Sequence, residues 1–443
     1  MTNPVKRLST LIMAGGKGER LRPLTDVRAK PAVPFGGAYR IIDFTLSNCL
    51  HSGIRRIHVL TQYKSKSLAH HIEMGWNVFH PELNECIDVI PAQKKICEDW
   101  YRGTADSVYQ NLDTLEQENP DFVLVLAGDH VYKMDYAGML EFHIRKRADL
   151  TIGVVERPQQ DCRQLGVLNV GQGGRVKGFQ EKPEQPATIP GKKDRSYASM
   201  GIYIFNARVL FEELARDGTC ETEHDFGKNI LPAMIKNRKL RAYELAPPTP
   251  GQEAYWRDVG TMDAYYEANM DLLSPTPRFD LYDGAWPIRT YQPQAPPAKI
   301  FPSDNTAHGA RGEALDSIVS NGCVIQGGRL IRSVLSPNVR LDADSLVENT
   351  VLMEGVRVGR HARIRNAIID KDVTLPPGAC IGMDLERDRE RFPVTPSGIV
   401  VVAKGGTIVS EQDVQEKKEP LWRPTQPLMH PGVGSGFPAP LSP

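Results

Sequence analysis

A six-residue spacing of aliphatic side chains in the C-terminal part restricts the fold more than any other feature. The residues form triplets that start 17 residues apart: Ile318, Val324, Leu330; Leu335, Leu341, Val347; Leu352, Val358, Ile364; Ile369, Leu375, Ile381. A second series keeps this step: Val334, Val339, Ser345; Val351, Val356, Ala362; Ile368, Val373, Ala379. Helices repeat every 3.6 residues and strands every two, so neither explains the spacing. Three short strands per coil, each sending an apolar side chain inward, predict a parallel β-helix of triangular cross-section.

The N-terminal part follows a different pattern, in which short apolar runs alternate with amphipathic segments of helical length. The runs cover residues 11–14, 56–60, 122–126, 151–155 and 200–205. Strands that are buried on both faces of a parallel sheet are apolar along their whole length. We therefore predict an α/β domain over residues 1–273, with a mostly parallel sheet wrapped by helices.

Proline marks the predicted domain boundaries. Seven prolines lie between Ser274 and Pro302, and proline disfavours both helix interiors and central strands. We predict a linker over 274–302 and the β-helix domain over 303–419. The tail, 420–443, contains seven prolines and three glycines in 24 residues, and we expect it to be disordered.

Charge and hydropathy argue against nucleic-acid and membrane partners. The chain has 54 Lys and Arg against 54 Asp and Glu, so it lacks the basic field that attracts nucleic-acid phosphates or an anionic bilayer. No apolar run approaches the roughly 20 residues of a membrane helix, and the run at 8–14 is too short for a signal peptide. We expect a soluble, cytoplasmic protein that binds neither nucleic acid nor membrane.

A glycine-rich segment follows the first predicted strand: Gly15-Gly16-Lys17-Gly18-Glu19-Arg20-Leu21, with Lys30-Pro31 downstream. Glycines at the end of a strand allow backbone amides to approach phosphate oxygens, and Arg20 and Lys30 add positive charge. The segment matches neither the Walker pattern nor the G-x-G-x-x-G fingerprint. It predicts a phosphate site of another kind.

Two aspartates are candidate ligands of a hard cation. Asp129 follows the apolar run at 122–126, and ligands of α/β sheets collect at the carboxyl ends of strands. Asp258 precedes an amphipathic segment, 262–272. Either aspartate could instead cap the helix that follows it, so both interpretations remain open from these segments alone.

These motifs and several others together resemble those of sugar-phosphate nucleotidyltransferases. The further segments are Trp100-Tyr101-Arg102-Gly103-Thr104-Ala105-Asp106, Ala127-Gly128-Asp129-His130, Glu181-Lys182-Pro183, Ser199-Met200-Gly201-Ile202-Tyr203, Asp225-Phe226-Gly227-Lys228, Tyr255-Trp256-Arg257-Asp258-Val259-Gly260-Thr261 and Trp286-Pro287-Ile288-Arg289-Thr290-Tyr291. With the β-helix, the chain is similar over about residues 8–410 to the bacterial members of the family that form ADP-glucose. The resemblance implies a Rossmann-like nucleotidyltransferase domain followed by a left-handed β-helix.

The resemblance also implies the reaction: ATP and α-D-glucose 1-phosphate give ADP-glucose and pyrophosphate, the committed step of glycogen biosynthesis. It assigns Arg20, Lys30 and Asp129 to catalysis and Asp129 and Asp258 to Mg²⁺. The residues it assigns to ATP are Gly15, Gly16, Gly18, Gly103 and Thr104. Those it assigns to glucose 1-phosphate are Tyr101, Gly166, Glu181, Lys182 and Ser199.

Regulation and assembly are further expectations from the resemblance. An anionic metabolite is expected between the two domains, with Arg28, Arg40 and Arg55 as candidate ligands, and the assembly is expected to be a homotetramer. Two positions depart from the family pattern. Glu19 replaces a usual Ser or Thr and would repel a bound triphosphate unless it faces solvent or pairs with Lys17 or Arg22. Val27 stands where some relatives carry a Lys that binds a sugar-bisphosphate activator.

Three alternative functions compete with this one. The first is the same reaction with another nucleotide, such as UTP or dTTP, or with another sugar phosphate. The second is an acyltransferase, but His361 is the only histidine within the four coils and no long inserted loop lies near it. The third is a catalytically silent regulatory subunit, against which the presence of Arg20, Lys30, Asp129, Lys182 and Asp258 argues.

Overall fold

The computed structural model describes residues 4–93, 100–247, 251–303, 311–405, 407–408 and 422–423. The expected disordered tail, 420–443, lies outside these residues except for 422–423. Within the described ranges, no helix combines the length and the apolar character that a bilayer crossing requires.

The N-terminal domain alternates strands and helices. Its strands are β1 (Leu8–Met13), β2 (Pro34–Phe35), β3 (Tyr39–Arg40), β4 (Arg56–Thr61), β5 (Cys86–Pro91), β6 (Phe122–Ala127), β7 (His130–Tyr132), β8 (Leu150–Pro158), β9 (Gly166–Val170), β10 (Val176–Glu181), β11 (Arg195–Asn206), β12 (Leu240–Glu244) and β13 (Trp256–Asp258). Its helices are α1 (Ile41–His51), α2 (Lys66–Gly75), α3 (Thr104–Tyr109), α4 (Leu112–Glu118), α5 (Tyr136–Lys146), α6 (Ala207–Gly218), α7 (Leu231–Asn237) and α8 (Met262–Asp271).

The main sheet has nine strands and confirms the predicted α/β class. Its principal order is β10-β9-β11-β6-β1-β4-β5, and β8 pairs with both β11 and β12. Strands β6, β1, β4 and β5 are parallel, whereas β11 runs antiparallel to β6, β8 and β9. Adjacent residues of β1 belong to different buried clusters. Ile12 is in one cluster with Ile57 on one face of the sheet, and Leu11 is in another with Val125 on the opposite face. Both faces are therefore buried, as the apolar runs predict.

The C-terminal domain is built almost entirely of short strands. They are β14 (Lys299–Phe301), β15 (Glu313–Leu315), β16 (Ile318–Val319), β17 (Val324–Gln326), β18 (Arg329–Ile331), β19 (Val334–Leu335), β20 (Arg340–Leu341), β21 (Leu346–Leu352), β22 (Arg357–Val358), β23 (Arg363–Ile369), β24 (Thr374–Leu375), β25 (Cys380–Ile381), β26 (Val400–Val402), β27 (Thr407–Ile408) and β28 (Trp422–Arg423), with α9 at Leu385–Arg389. Strands of successive coils pair in parallel register, for example Leu341 with Val358 and Val358 with Leu375. This stacking confirms the predicted β-helix.

The interior of the first coil differs from the predicted register by one residue at two positions. Val319 pairs with Leu335 and Ile325 pairs with Leu341, so these two residues, rather than Ile318 and Val324, continue the interior rows. Ile325 is fully buried and Val324 is only half-buried. The predicted positions Ile318 and Val324 are therefore wrong, because only five residues separate Ile325 from Leu330, whereas six separate Leu341 from Val347 in the next coil.

Part of the second apolar series faces the N-terminal domain instead of the β-helix interior. Val334, Val351 and Ile368 belong to one buried cluster with Tyr265 and Leu272 of the helix α8 region. The interior cluster of the β-helix contains Val339, Val356 and Val373 from the same series. A hydrogen bond from Tyr266 Oη to the Asn349 carbonyl, 2.6 Å, also joins the domains.

The proline-rich segment before the β-helix lies against the N-terminal domain. Phe279 and Ile288 are buried there. Trp286 Nε1 donates to Asn48 Oδ1 at 2.9 Å, and Thr290 Oγ1 donates to Asp43 Oδ2 at 2.7 Å, so the segment runs along α1. Strand β14 starts at Lys299, inside the range predicted as linker, and already pairs with β17 of the β-helix.

Candidate active site

A cavity of about 720 Å³ lies where β1 and β6 end. Its position agrees with the rule that open α/β sheets bind ligands beyond the carboxyl ends of their strands. The predicted site residues that line it are Gly15, Gly16, Gly18, Arg20, Lys30, Tyr101, Gly103, Thr104 and Asp129.

The glycine loop forms one wall of this cavity. Gly18 has a φ of +63°, a backbone conformation that favours glycine. A side chain there would also lie 3.0 Å from Thr25 Cγ2, whereas one at Gly16 would have no neighbour within 4 Å. The backbone of the loop is therefore closely packed at Gly18, whereas Gly16 faces open space.

Lys30 joins the two predicted metal-binding aspartates. Its side chain lies in a short 3-10 turn, Lys30–Ala32, and only 7% of the residue is exposed. Lys30 Nζ donates to Asp129 Oδ2 at 2.8 Å and to Asp258 Oδ1 at 3.0 Å. Burial alone would lower the lysine pKa, but the two carboxylates outweigh it and raise the pKa. Burial likewise opposes ionisation of Asp129, yet Lys30 and His130 lower its pKa.

Neither aspartate caps a helix, so the capping interpretation is wrong for both. Asp129 follows β6 and leads into strand β7. Asp258 is the last residue of β13, which pairs with β7 so that Asp258 lies opposite His130. Helix α8 is capped by Thr261, whose Oγ1 accepts from the Ala264 amide at 3.2 Å.

The pair of aspartates fits a divalent cation. One ligand atom from each of Asp129, His130 and Asp258 lies within 4.8 Å of the others, and carboxylate oxygens are the ligands that Mg²⁺ prefers. Arg20 lies close by, because a side chain at Gly260 would be 3.0 Å from Arg20 Nη2 and 2.8 Å from Asp258 Oδ1. The site thus brings two fixed cations and two carboxylates together.

Of the residues predicted to bind the sugar phosphate, Tyr101 lines the cavity, whereas Gly166, Glu181, Lys182 and Ser199 are not part of its lining. Glu181 Oε2 is the nearest atom that a side chain at Gly227 would meet, at 2.9 Å, and it lies 3.4 Å from a side chain at Gly166, where Phe179 Cζ is nearer at 2.5 Å. Burial raises the pKa of Glu181 even though Lys182 lowers it. Lys182 Nζ lies 3.8 Å from Glu181 Oε1, with 54% of its side chain exposed. Ser199 accepts a hydrogen bond from the Gly201 amide at 3.4 Å.

Asp225 connects the two groups, and sequence reasoning assigned it no role. It lines the cavity, accepts from Thr104 Oγ1 at 2.8 Å and caps the following π-helical turn through the Gly227 and Lys228 amides. The signal in the sequence that could identify it is the motif Asp225-Phe226-Gly227-Lys228. Gln62 and Ser107 also line the cavity, and no motif pointed to them.

Gly103 is required by close backbone packing in the same region. A side chain there would lie 2.2 Å from the Glu223 carbonyl and 2.3 Å from the His224 carbonyl. The loop before α3 therefore lies directly against the turn that carries Asp225. This contact gives a structural reason for glycine at a position that the resemblance assigns to ATP.

Glu19 lies at the exposed rim of the cavity. Arg22, one of its expected partners, pairs with Asp26 instead, at 3.3 Å.

Two of the three arginines predicted to bind an effector lie between the domains. Arg28 Nη1 donates to both carboxylate oxygens of Asp370, at 2.9 and 3.1 Å, and its Nη2 has no hydrogen-bond partner among the described residues. Burial, Arg28 and Arg40 lower the pKa of Lys371 even though Glu354 raises it. We call Arg28, Arg40 and Lys371 the interdomain basic cluster.

Arg55 has a separate environment. Its described partners are the Leu50 and Ile54 carbonyls at 3.0 and 2.9 Å, Glu85 at 3.8 Å and the Phe79 ring. These contacts place it apart from the interdomain basic cluster.

Comparison with known proteins gives two family matches and many close relatives. The family model described as nucleotidyl transferase matches residues 9–275, and the one described as GlmU-like, C-terminal hexapeptide matches residues 296–402. A glucose-1-phosphate adenylyltransferase of Rhodopirellula baltica is 51% identical over 94% of each chain. One of Methylococcus capsulatus is 52% identical over 88% of this chain and 92% of its own, and one of Methylobacillus flagellatus is 49% identical over 90% and 93%.

Proposed function

The chain belongs to the glucose-1-phosphate adenylyltransferases of the nucleotidyltransferase family, and from that membership we propose that it converts ATP and α-D-glucose 1-phosphate into ADP-glucose and pyrophosphate. A phosphate oxygen of the sugar phosphate attacks the α-phosphorus of ATP. The bond from that phosphorus to the bridging oxygen breaks, and pyrophosphate leaves. The nucleophile is already an anion, so the reaction needs no general base. The protein must position two repelling anions and offset the charge that develops between them.

The observation that carries this proposal is the Lys30 ammonium between Asp129 and Asp258, at 2.8 and 3.0 Å, beneath the glycine loop. A buried cation at this position favours the ionised form of Asp129 beside the phosphate cavity. In our proposal Arg20 and the loop around Gly15, Gly16 and Gly18 bind the departing pyrophosphate, and Lys30 shares that role.

Enzymes of this family use a divalent metal ion, and we propose that here it is Mg²⁺. The residues that would hold it are Asp129 and Asp258. Bound there, the ion would neutralise phosphate charge. Lys30 would hold both carboxylates in position through its two hydrogen bonds and would keep Asp129 ionised.

Asp225 lies between the residues that we assign to the sugar phosphate and those that we assign to ATP. We propose that Lys182 binds the phosphate of glucose 1-phosphate, since its ammonium is a compact charge on a mobile chain. Glu181 can accept hydrogen bonds from sugar hydroxyls, with Tyr101, Gly166 and Ser199 around it. Gly103 and Thr104 lie on the ATP side, in the same cavity as the glycine loop.

Pyrophosphate release from glucose 1-phosphate tests this function. The purified chain is assayed with Mg²⁺ and, separately, ATP, GTP, UTP or dTTP. We expect turnover with ATP, and a preference for another nucleotide would overturn the adenylyl assignment. Asp129→Asn should nearly abolish turnover while the circular dichroism spectrum stays unchanged.

The assigned role of Lys182 has its own test. Lys182→Ala should raise the KM for glucose 1-phosphate at least tenfold and change the KM for ATP little, because it removes a contact to one substrate. Lys177→Ala replaces an exposed lysine of the nearby strand β10 and should leave both constants unchanged. An equal rise in both constants for Lys182→Ala would count against the assignment.

We further propose that an anionic metabolite regulates the enzyme by binding at the interdomain basic cluster, and that the protein is a homotetramer. Support comes from the crowding of Arg28, Arg40 and Lys371, since Arg28 and Arg40 each lower the pKa of Lys371 and an anion would relieve that repulsion. A panel of sugar phosphates, sugar bisphosphates and carboxylates should contain at least one effector. Arg40→Ala should weaken the apparent affinity for that effector about tenfold, as loss of one charged contact predicts. An effector response that is unchanged in Arg40→Ala would overturn this site.

Light scattering of the purified chain tests the proposed homotetramer.

A further inference from the structure

A second group of metal-ligating side chains lies in the N-terminal domain, away from the cavity. His58 is in the middle of β4, Cys86 begins β5 and Glu118 ends α4. Cys86 stands at the N-terminal end of its strand, whereas the glycine loop and Asp129 follow the C-terminal ends of β1 and β6. We call His58, Cys86 and Glu118 the strand-base cluster.

The three side chains converge closely enough to share one ion. One ligand atom from each lies within 4.8 Å of the other two. His58 Nε2 is 2.9 Å from Glu118 Oε1, and Ser9 Oγ donates to the other carboxylate oxygen of Glu118. Ser9 thus orients the carboxylate from strand β1.

His58 provides an independent sign that the cluster is built for a ligand. Only 2% of the residue is exposed, and its Nδ1 has no hydrogen-bond partner among the described residues. The nearest acid to Nδ1 is Asp88, with Oδ2 at 3.5 Å. A buried polar atom without a partner lowers the stability of the fold, so the imidazole is held here at an energetic disadvantage. Metal-bound histidines commonly direct their second nitrogen to a carboxylate, and with Nε2 and Glu118 on the ion the second nitrogen, Nδ1, faces Asp88.

We propose that the strand-base cluster is a Zn²⁺ site, a role separate from the proposed catalysis. Zn²⁺ is commonly bound by sulfur, imidazole nitrogen and carboxylate oxygen together, whereas Mg²⁺ selects oxygen ligands. A water molecule supplies the fourth ligand, while Asp88, 58% exposed at its side chain, stays beside His58 Nδ1. Coordination by Cys86 releases its thiol proton to solvent. The ion joins β4, β5 and α4, and so stabilises the folded chain.

Cobalt substitution tests the proposal, because a Co²⁺–thiolate bond absorbs light and a Co²⁺–carboxylate bond does not give that band. The full chain, stripped with a chelator, is titrated with Co²⁺ in the presence of excess Mg²⁺. We expect the thiolate charge-transfer band to saturate at one equivalent of Co²⁺ and to disappear when Zn²⁺ is added. The band should be lost in Cys86→Ser and retained in Cys220→Ser, which replaces an exposed cysteine of the same chain.

Thermal unfolding provides the second readout. Zn²⁺ should raise the Tm of the wild-type chain and of Asp129→Asn equally, since the latter alters only the cavity aspartate. The Tm of Cys86→Ser and Glu118→Gln should not respond, and Glu118→Gln serves if Cys86→Ser fails to fold. If the cobalt band survives in both Cys86→Ser and Glu118→Gln, or if the wild type shows no band, the proposed metal site is overturned. The proposed catalysis is unaffected by either result.

Discussion

Lys30 balances the charge of the candidate active site. Two carboxylates within 3.0 Å of one buried ammonium leave a net charge of about one negative unit, which a cation or the site's arginine can offset. Without Lys30, the aspartates would repel each other and the Asp129 pKa would rise. One side chain, from the turn that precedes β2, therefore offsets about half of the aspartates' charge.

Lys30→Met should reduce kcat about 10²- to 10³-fold, the usual effect of removing one preorganised electrostatic contact. Methionine keeps the length of the side chain, so the fold should persist. Steady-state kinetics of pyrophosphate release measures the change. Lys66→Met, at an exposed position of α2, should retain wild-type kcat, and an equal loss in both variants would refute the role of Lys30.

Gly103→Ala should disturb the turn that carries Asp225. The added carbon would lie 2.2 Å from the Glu223 carbonyl, and overpacking of this kind costs about 1–3 kcal/mol. We expect a higher KM for ATP together with a lower free energy of unfolding. Gly284→Ala adds the same carbon where no atom lies within 4 Å, and it should alter neither quantity; if both variants behave alike, the packing argument fails.

Helix α5 is attached to the sheet by a buried histidine. His143 Nδ1 lies 2.8 Å from Thr151 Oγ1 of β8, and its Nε2 lies 3.3 Å from Asn206 Oδ1 of β11. Burial lowers the His143 pKa to about 4, although Asn206 and Asp149 oppose the shift. Below its ordinary pKa of 6.5 the unfolded chain binds a proton that the folded chain does not. The free energy of unfolding therefore falls as the pH drops from about 6.5 towards 4.

His143→Gln should remove this pH dependence. Between pH 7 and pH 5 the wild-type chain should lose about 2 kcal/mol more than the variant, at 1.36 kcal/mol per pKa unit. Urea unfolding at the two pH values gives the difference. His70→Gln, at an exposed position of α2, should keep the wild-type slope. A variant slope equal to that of the wild type would show that His143 titrates normally in the folded protein.

The two domains share a buried apolar interface and an ion pair. Ile368 is fully buried in the cluster that includes Tyr265 and Leu272, and Arg28 pairs with Asp370 across the same boundary, with side chains only 4% and 0% exposed. An interface of this kind couples the unfolding of the two domains, because separating them exposes apolar surface to water, which is unfavourable.

Ile368→Ala should lower the free energy of unfolding by about 2–5 kcal/mol, as expected for a fully buried isoleucine. Tryptophan fluorescence, in which Trp76, Trp256 and Trp286 report on the N-terminal domain, and far-ultraviolet circular dichroism, which reports on the whole chain, should shift together in urea. Ile300→Ala is the matched control, since 43% of Ile300 is exposed, and it should cost little. A shift in circular dichroism alone would mean that the domains unfold independently.

Local patterns in the sequence determined the two architectures and most of the cavity wall. A six-residue spacing and continuous apolar runs report directly on which faces are buried, and glycine, lysine and aspartate motifs sit at strand ends that any parallel sheet brings to one edge. The α/β class, the β-helix and the residues around Lys30 and Asp129 could therefore be predicted from the sequence alone.

Tertiary structure decided what depends on contacts between distant segments. The Lys30 bridge spans 99 and 228 residues, and Asp225 reaches Thr104 across 121. The one-residue shortening of the first coil replaced Ile318 and Val324 inside the β-helix, and Val334, Val351 and Ile368 turned to the other domain. Apolar spacing states that a side chain is buried but not against what, because burial lowers the free energy equally well in either interior.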